Sequence, residues 1–94
     1  MRPLLALLLL ATPALADGEA AWDAFREEVR AACAALVEAP EGAEVAVEVN
    51  PFGSESYGVA LVAVTASYGT DRMACVFDKA TRQAELTTPF APES

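Results

Sequence analysis

The first long element of the chain shows a helical spacing of apolar side chains. Between Glu19 and Glu38 they recur every three or four residues and so share one face of a helix. That face consists of Trp22, Phe25, Val29, Cys33 and Leu36, with Ala21, Ala32 and Val37 at its edges. Pro40 and Gly42 predict the end of the helix. The pattern therefore predicts one amphipathic helix with a buried stripe.

Two strand-like segments follow the helix. The first, AEVAVEVN, alternates strictly and predicts a half-buried strand. Its faces would consist of Val45, Val47 and Val49 on one side and Glu44, Ala46 and Glu48 on the other. After a turn at residues 51–54, the run from Tyr57 to Ser67 is apolar at both its odd and its even positions. Such a run is typical of a central strand covered on both sides, or of a strand with one face open to a partner.

Two more strands complete the pattern. A turn at residues 69–71 leads into a strand from Arg72 to Asp78, and a polar reversal precedes a short strand from Ala84 to Thr88. The inward residues of these strands would be Met73, Cys75, Phe77 and Leu86. We expect the tail, residues 89–94, to be loosely ordered.

These elements predict a single α+β domain. The N-terminal helix would pack on one face of a four-stranded antiparallel meander of order 1-2-3-4, because each connection is short enough for neighbouring strands to pair. In architecture this arrangement resembles small secreted binding and inhibitory modules such as PepSY domains and cystatin-like folds. The resemblance is one of element order and transfers no functional residue.

The N-terminus has the three parts of a secretory signal peptide. Arg2 supplies the charge, residues 4–10 the apolar centre, and Ala14-Leu15-Ala16 a small-x-small cleavage site. The apolar run is far shorter than the roughly 20 residues that span a bilayer. We therefore expect residues 1–16 to be removed, residues 17–94 to form the mature domain without membrane insertion, and the protein to be secreted, into a bacterial periplasm.

The chain contains two cysteines. In an oxidising compartment Cys33 and Cys75 have only each other to pair with, and the bridge would pin the helix to the sheet. A redox-active pair would need closer C-x-x-C spacing. We expect no cofactor and no metal site, since the chain has no histidine and two sulfurs do not complete a zinc site.

Charge and residue types narrow the function classes. The 94-residue chain carries 14 acidic and 6 basic side chains, a net charge of −8, and loss of Arg2 with the signal makes it −9. Such a surface repels phosphates, so nucleic-acid binding is not expected. Without histidine the usual proton shuttle is absent, and the carboxylates are spread along the elements. We therefore do not expect this protein to be an enzyme.

Two features indicate an interface. If Leu61 shares the helix side with Cys75, the opposite face of the sheet presents small apolar residues: Ala60, Val62, Val64, Ala74 and Val76. Contiguous exposed apolar area marks a contact with another protein or a second copy. The alternatives are a one-residue error in the register of the central strand, or cover from Tyr68 and the tail.

The second feature is the loop NPFGSESYG, which holds Phe52 and Tyr57. Loop aromatics anchor partners at small entropic cost; alternatively, Phe52 folds back as a lid over the core and Tyr57 starts the strand. Together these features predict a small, secreted, non-catalytic protein-binding or accessory module. A small carboxylate- or tyrosine-based enzyme and a structural subunit of an envelope complex are the alternatives.

Overall fold

A computed structural model describes residues 14–91, with side chains from Gly18 onward. It contains one helix, α1 (Ala14–Ala35), and four strands, β1 (Glu44–Val49), β2 (Tyr57–Ala66), β3 (Gly69–Asp78) and β4 (Ala84–Leu86). The strands form one antiparallel sheet of order β1-β2-β3-β4, and α1 packs on one of its faces. The predicted α+β meander is confirmed.

The predicted signal peptide lies mainly outside this range, because residues 1–13 are not described. Cleavage after Ala16 would leave α1 beginning at Asp17. Within residues 14–91, the one helix does not combine the length and apolarity needed to cross a membrane.

Helix α1 contacts the sheet through the stripe that the spacing predicts. Val29 and Cys33 are fully buried, and Phe25 packs beside them against the core. The helix ends at Ala35, three residues before the predicted end. The amides of Leu36 and Val37 bond to carbonyls three residues back, a tightened final turn that leads towards the helix-breaking Pro40.

The β2–β3 turn begins two residues earlier than predicted and is one residue shorter. Ala66 pairs with Gly69, so the turn consists of Ser67 and Tyr68, and β3 starts at Gly69 rather than at Arg72. Gly69 has a φ of 130°, which is easily adopted only by a residue without a side chain. The turn thus passes directly into a paired strand.

Because of this turn, the two faces of β2 are exchanged relative to the prediction. Ala60 lies opposite Cys75 and Val62 opposite Met73, so these residues and Val64 point at α1 and are buried. Leu61 lies opposite Ala74 and points away from the helix. The prediction that Ala60, Val62 and Val64 form the outward patch is therefore wrong. A strand that is apolar at both odd and even positions carries no register signal of its own. A turn of two residues instead of three shifts the pairing by an odd number of residues, which inverts the faces of the strand.

Gly58 allows α1 to approach the sheet closely. A Cβ at this position would lie 2.8 Å from Val29 Cγ2 and 2.9 Å from Phe25 Cζ. Both distances are shorter than packed carbon atoms tolerate, so any side chain here would push the helix away. Gly58 lies opposite Phe77, whose ring packs edge-on against Phe25 at a centroid distance of 6.0 Å.

A disulfide between Cys33 and Cys75 joins the centre of α1 to the centre of β3, as predicted. The two Cα atoms are 6.0 Å apart, and both residues are fully buried. A second link lies nearer the end of the sheet, where Arg82 of the β3–β4 turn forms an ion pair with Glu28 of α1. Helix and sheet are therefore held by a covalent bond and an ion pair in addition to their apolar contact.

Removal of the disulfide tests its contribution. We expect the Cys33→Ala/Cys75→Ala variant to lose up to about 4 kcal/mol of unfolding free energy, because the bridge closes a loop of 42 residues in the unfolded chain. Urea denaturation followed by the fluorescence of Trp22 measures this loss. An unchanged midpoint would show that the bridge does not support the fold.

A matched pair of neighbouring substitutions tests the register of β2. Val62→Lys should cost more than about 3 kcal/mol, since it places a charge in the core. Leu61→Lys should cost about 1 kcal/mol or less, because its side chain leaves the sheet on the open side. The same urea denaturation compares the two variants, and unfolding by Leu61→Lys with tolerance of Val62→Lys would restore the opposite register.

Candidate functional site

The side of the sheet facing away from α1 is called the outer sheet face. Its central positions are Ala46, Glu48, Val59, Leu61, Ala63, Arg72, Ala74, Val76 and Glu85, with Tyr57 at one end. The register arranges them in rows across the strands. One row runs from Glu48 through Leu61 to Ala74, and the next from Val59 through Val76 to Glu85.

The centre of the outer sheet face is apolar and uncovered. Leu61 is 53% exposed although it lies in the middle of the sheet, and its neighbours Val59 and Val76 are half-buried. Within residues 14–91, no helix or strand packs over this side. An isolated exposed leucine needs no explanation, but one surrounded by further apolar residues forms a contiguous patch of the kind found at interfaces.

A shallow groove of about 210 Å³ runs beside Leu61. Its lining is mostly apolar and includes Ala46, Ala63 and Phe90, together with the charged side chains of Glu48 and Arg72. Phe90 is held there because its amide donates to the Arg72 carbonyl at 2.8 Å, which keeps the chain after β4 alongside β3. The groove can accept a large apolar side chain from another molecule.

The rim of the outer sheet face is predominantly acidic. Glu48 flanks the apolar centre on the β1 side and Glu85 flanks it on the β4 side. Glu44 and Asp78 occupy outward positions towards the two ends of the sheet. Arg72 is the only cation among the described outward positions. The face is therefore an apolar patch within a largely negative frame.

The two edges of the sheet are protected, unlike its outer face. The amide of Asn50 donates to the Val59 carbonyl of β2 at 2.8 Å. Because backbone groups along an edge strand point alternately towards and away from its neighbour, the Val47 carbonyl points away from β2, off the free edge of β1. The guanidinium group of Arg30 in α1 donates a 2.7 Å hydrogen bond to this carbonyl oxygen. The opposite edge strand, β4, has only three residues. Occupied or very short edges hinder the addition of another strand.

The loop between β1 and β2 packs on the helix side. The ring of Phe52 meets Trp22 edge-on at 4.8 Å between centroids, so this residue folds back against α1 while remaining 54% exposed. Tyr57 starts β2 and lies on the outer sheet face. The two loop aromatics therefore lie on opposite sides of the sheet.

Lys79 fixes this loop in place. Its ammonium donates to the carbonyl oxygens of Phe52 and Ser54 at 3.1 and 2.7 Å, and it lies 5.4 Å from the centre of the Trp22 ring. Asn50 closes the loop from the other end by accepting hydrogen bonds from the amides of Phe52 and Gly53. The loop is a braced structural element that covers one end of the helix–sheet contact.

The seven predicted interface residues thus separate into three groups. Tyr57, Ala74 and Val76 lie on the outer sheet face, Ala60, Val62 and Val64 lie in the core, and Phe52 lies against α1. Sequence reasoning missed Leu61, Val59, Ala63 and Phe90. The first three alternate with the residues that were named, so a correct turn length would have identified them.

Titratable groups approach one another at one end of the outer sheet face, where Tyr57, Asp78 and Glu85 line a hollow of about 260 Å³. The Asp78 carboxylate accepts hydrogen bonds from the amides of Ala80 and Thr81. No group of three metal-ligating side chains occurs in the part of the chain that the structure describes.

Tyr68 lies in the β2–β3 turn, near Leu36 on the helix side. Desolvation, and then a 3.1 Å hydrogen bond to Asp71 and its charge, raise the pKa of this phenol, which disfavours the tyrosinate form.

Comparisons with known proteins supply no role for this face. The chain matches no protein-family model, no curated protein and no solved structure. Its function is therefore inferred from its own residues.

Replacement of Lys79 tests the bracing of the β1–β2 loop. We expect Lys79→Met to lower the free energy of unfolding by about 2 kcal/mol, since it keeps the aliphatic stem but removes two hydrogen bonds from a charged donor. Faster amide hydrogen exchange in residues 52–54 should accompany the loss. Lys79→Arg, which keeps the charge, is the control; equal exchange in Lys79→Met and the parent would refute the bracing role.

Proposed function

We propose that this protein is a small secreted, non-catalytic module that binds another protein through the outer sheet face. The observation that carries the proposal is the uncovered apolar centre around Leu61 in residues 14–91. Exposing such a patch to water is unfavourable, and burying it against a partner removes that cost.

The protected edges support the same mode of binding. With Arg30 on the Val47 carbonyl and only three residues in β4, strand addition is hindered at both sides of the sheet. Association through the face requires no rearrangement of these edges. The apolar groove beside Leu61 offers a place for a partner side chain.

Binding is favoured over catalysis by the distribution of acidic groups. A carboxylate-based enzyme brings two carboxyl groups to within about 5–10 Å of each other around its substrate. Glu48 and Glu85 instead flank a shallow apolar surface from opposite strands. Asp78 lines a hollow together with Glu85, but its carboxylate already accepts hydrogen bonds from two amides of the β3–β4 turn. This frame suits recognition of a surface better than enclosure of a small substrate.

The disulfide supports the cellular location. Bridges of this kind persist in oxidising compartments, and the N-terminal pattern ending at Ala16 is that of an exported chain. On these two grounds we propose that the mature protein acts in the bacterial periplasm.

Site-specific photo-crosslinking in the native host tests the proposal. A photoreactive amino acid at Leu61 should give a covalent adduct of defined mass, and the same partner should be captured from Val76 on the same face. The matched control position is Glu27, an exposed residue on α1. Mass spectrometry of the adducts identifies the partner. The proposal fails if Leu61 and Glu27 capture the same set of proteins, or if Leu61 captures none.

A further inference from the structure

We infer that the outer sheet face receives one amphipathic helix of a partner protein, with an apolar stripe and lysine or arginine on both flanks. This inference rests on the proposed function and specifies the partner. It follows from the size of the face, the shape of its centre and the sign of its rim.

The inner face of the same sheet shows what covers a surface of this size. One helix, α1, contacts all four strands and buries the inward side chains at the centre of β2 and β3, while those of β1 and β4 are partly covered or exposed. The outer face has the same width, since it belongs to the same strands. At about 4.8 Å per strand, β1 and β4 are roughly 14 Å apart, and a helix with its side chains is about 10–12 Å across.

The shape of the centre suits large side chains from such a helix. Leu61 projects from the middle of the face. Its neighbours Ala46, Ala63 and Ala74 have small side chains, so the surface around Leu61 is recessed. The groove beside them is about 210 Å³ and is walled by Phe90. A leucine or phenylalanine from the stripe of a helix can enter it, as Phe25 of α1 packs against Phe77 on the inner side.

The rim determines the charge of the partner. Glu48 and Glu85 lie on opposite sides of the apolar centre, so a helix along the sheet would have one carboxylate near each flank. Cationic side chains on both flanks are complementary to this frame. A second copy of this chain is disfavoured because its outer face repeats the same acidic rim and its net charge is −8.

A pair of synthetic peptides tests the inference with the mature protein, residues 17–94. Both are 18-residue helix formers with a leucine stripe; one carries lysine on both flanks and the other carries glutamate at the same positions. We expect the lysine peptide to shift the amide NMR signals of Val59, Leu61, Ala74 and Val76. The glutamate peptide should bind about tenfold more weakly or not at all.

Charge reversal on the protein provides the matched control. The Glu48→Lys/Glu85→Lys variant should bind the lysine peptide about tenfold more weakly than the parent protein and the glutamate peptide more tightly. Glu19→Lys/Glu27→Lys changes the net charge equally but alters α1, on the other side of the sheet, and should leave the preference for lysine unchanged.

The remaining outcomes separate this inference from the proposed function. Equal binding of the two peptides, or binding of neither, overturns the inference that the partner element is a basic amphipathic helix. Concentration-dependent dimerisation in sedimentation that Leu61→Lys abolishes would identify a second copy as the occupant and also overturn it. In each case a crosslinked partner at Leu61 would leave the protein-binding function standing, whereas the absence of any adduct at Leu61 would remove the function itself.

Discussion

A single helix buries only one side of a sheet, and the rest of this structure depends on that constraint. Helix α1 contacts all four strands, yet it leaves the opposite side without a covering element in residues 14–91. The inner side consequently receives the close contacts, from Gly58 beneath Phe25 to the buried disulfide. The outer side is left with a leucine in its middle. Stability and binding therefore occupy opposite faces of the same strands.

The sequence predicted the elements and their order but not the face of the central strand. Strict alternation in β1 and the cysteine in β3 placed Val47 and Cys75 on the inner side correctly. In β2 both odd and even positions are apolar, so the prediction of its faces depended on the length of the turn before Gly69. Because pairing of Ala66 with Gly69 depends on backbone geometry at a two-residue turn, hydrophobic periodicity contained no information about it.

The candidate site was predicted in kind but only partly in composition. An apolar outer face was expected, and Ala74 and Val76 lie on it; the residues contributed by β2 were the wrong alternate set. The groove next to Phe90 was not foreseen, since it depends on a hydrogen bond from the tail to Arg72. Likewise, the contact of Phe52 with Trp22 requires the loop to be braced by a lysine 27 residues away. Such long-range polar contacts leave no periodic trace in a sequence.

The positive charges of the described chain are distributed unevenly. Four of the five cations in residues 18–91 point to the helix side, where they bind carbonyl oxygens or carboxylates, and only Arg72 lies on the outer face. Three of these four helix-side cations are paired with carboxylates of α1 itself. The surplus of negative charge therefore extends to both sides of the sheet, while the positive side chains are committed to internal contacts. Substituting any one of these four cations would change the packing of the molecule as well as its charge.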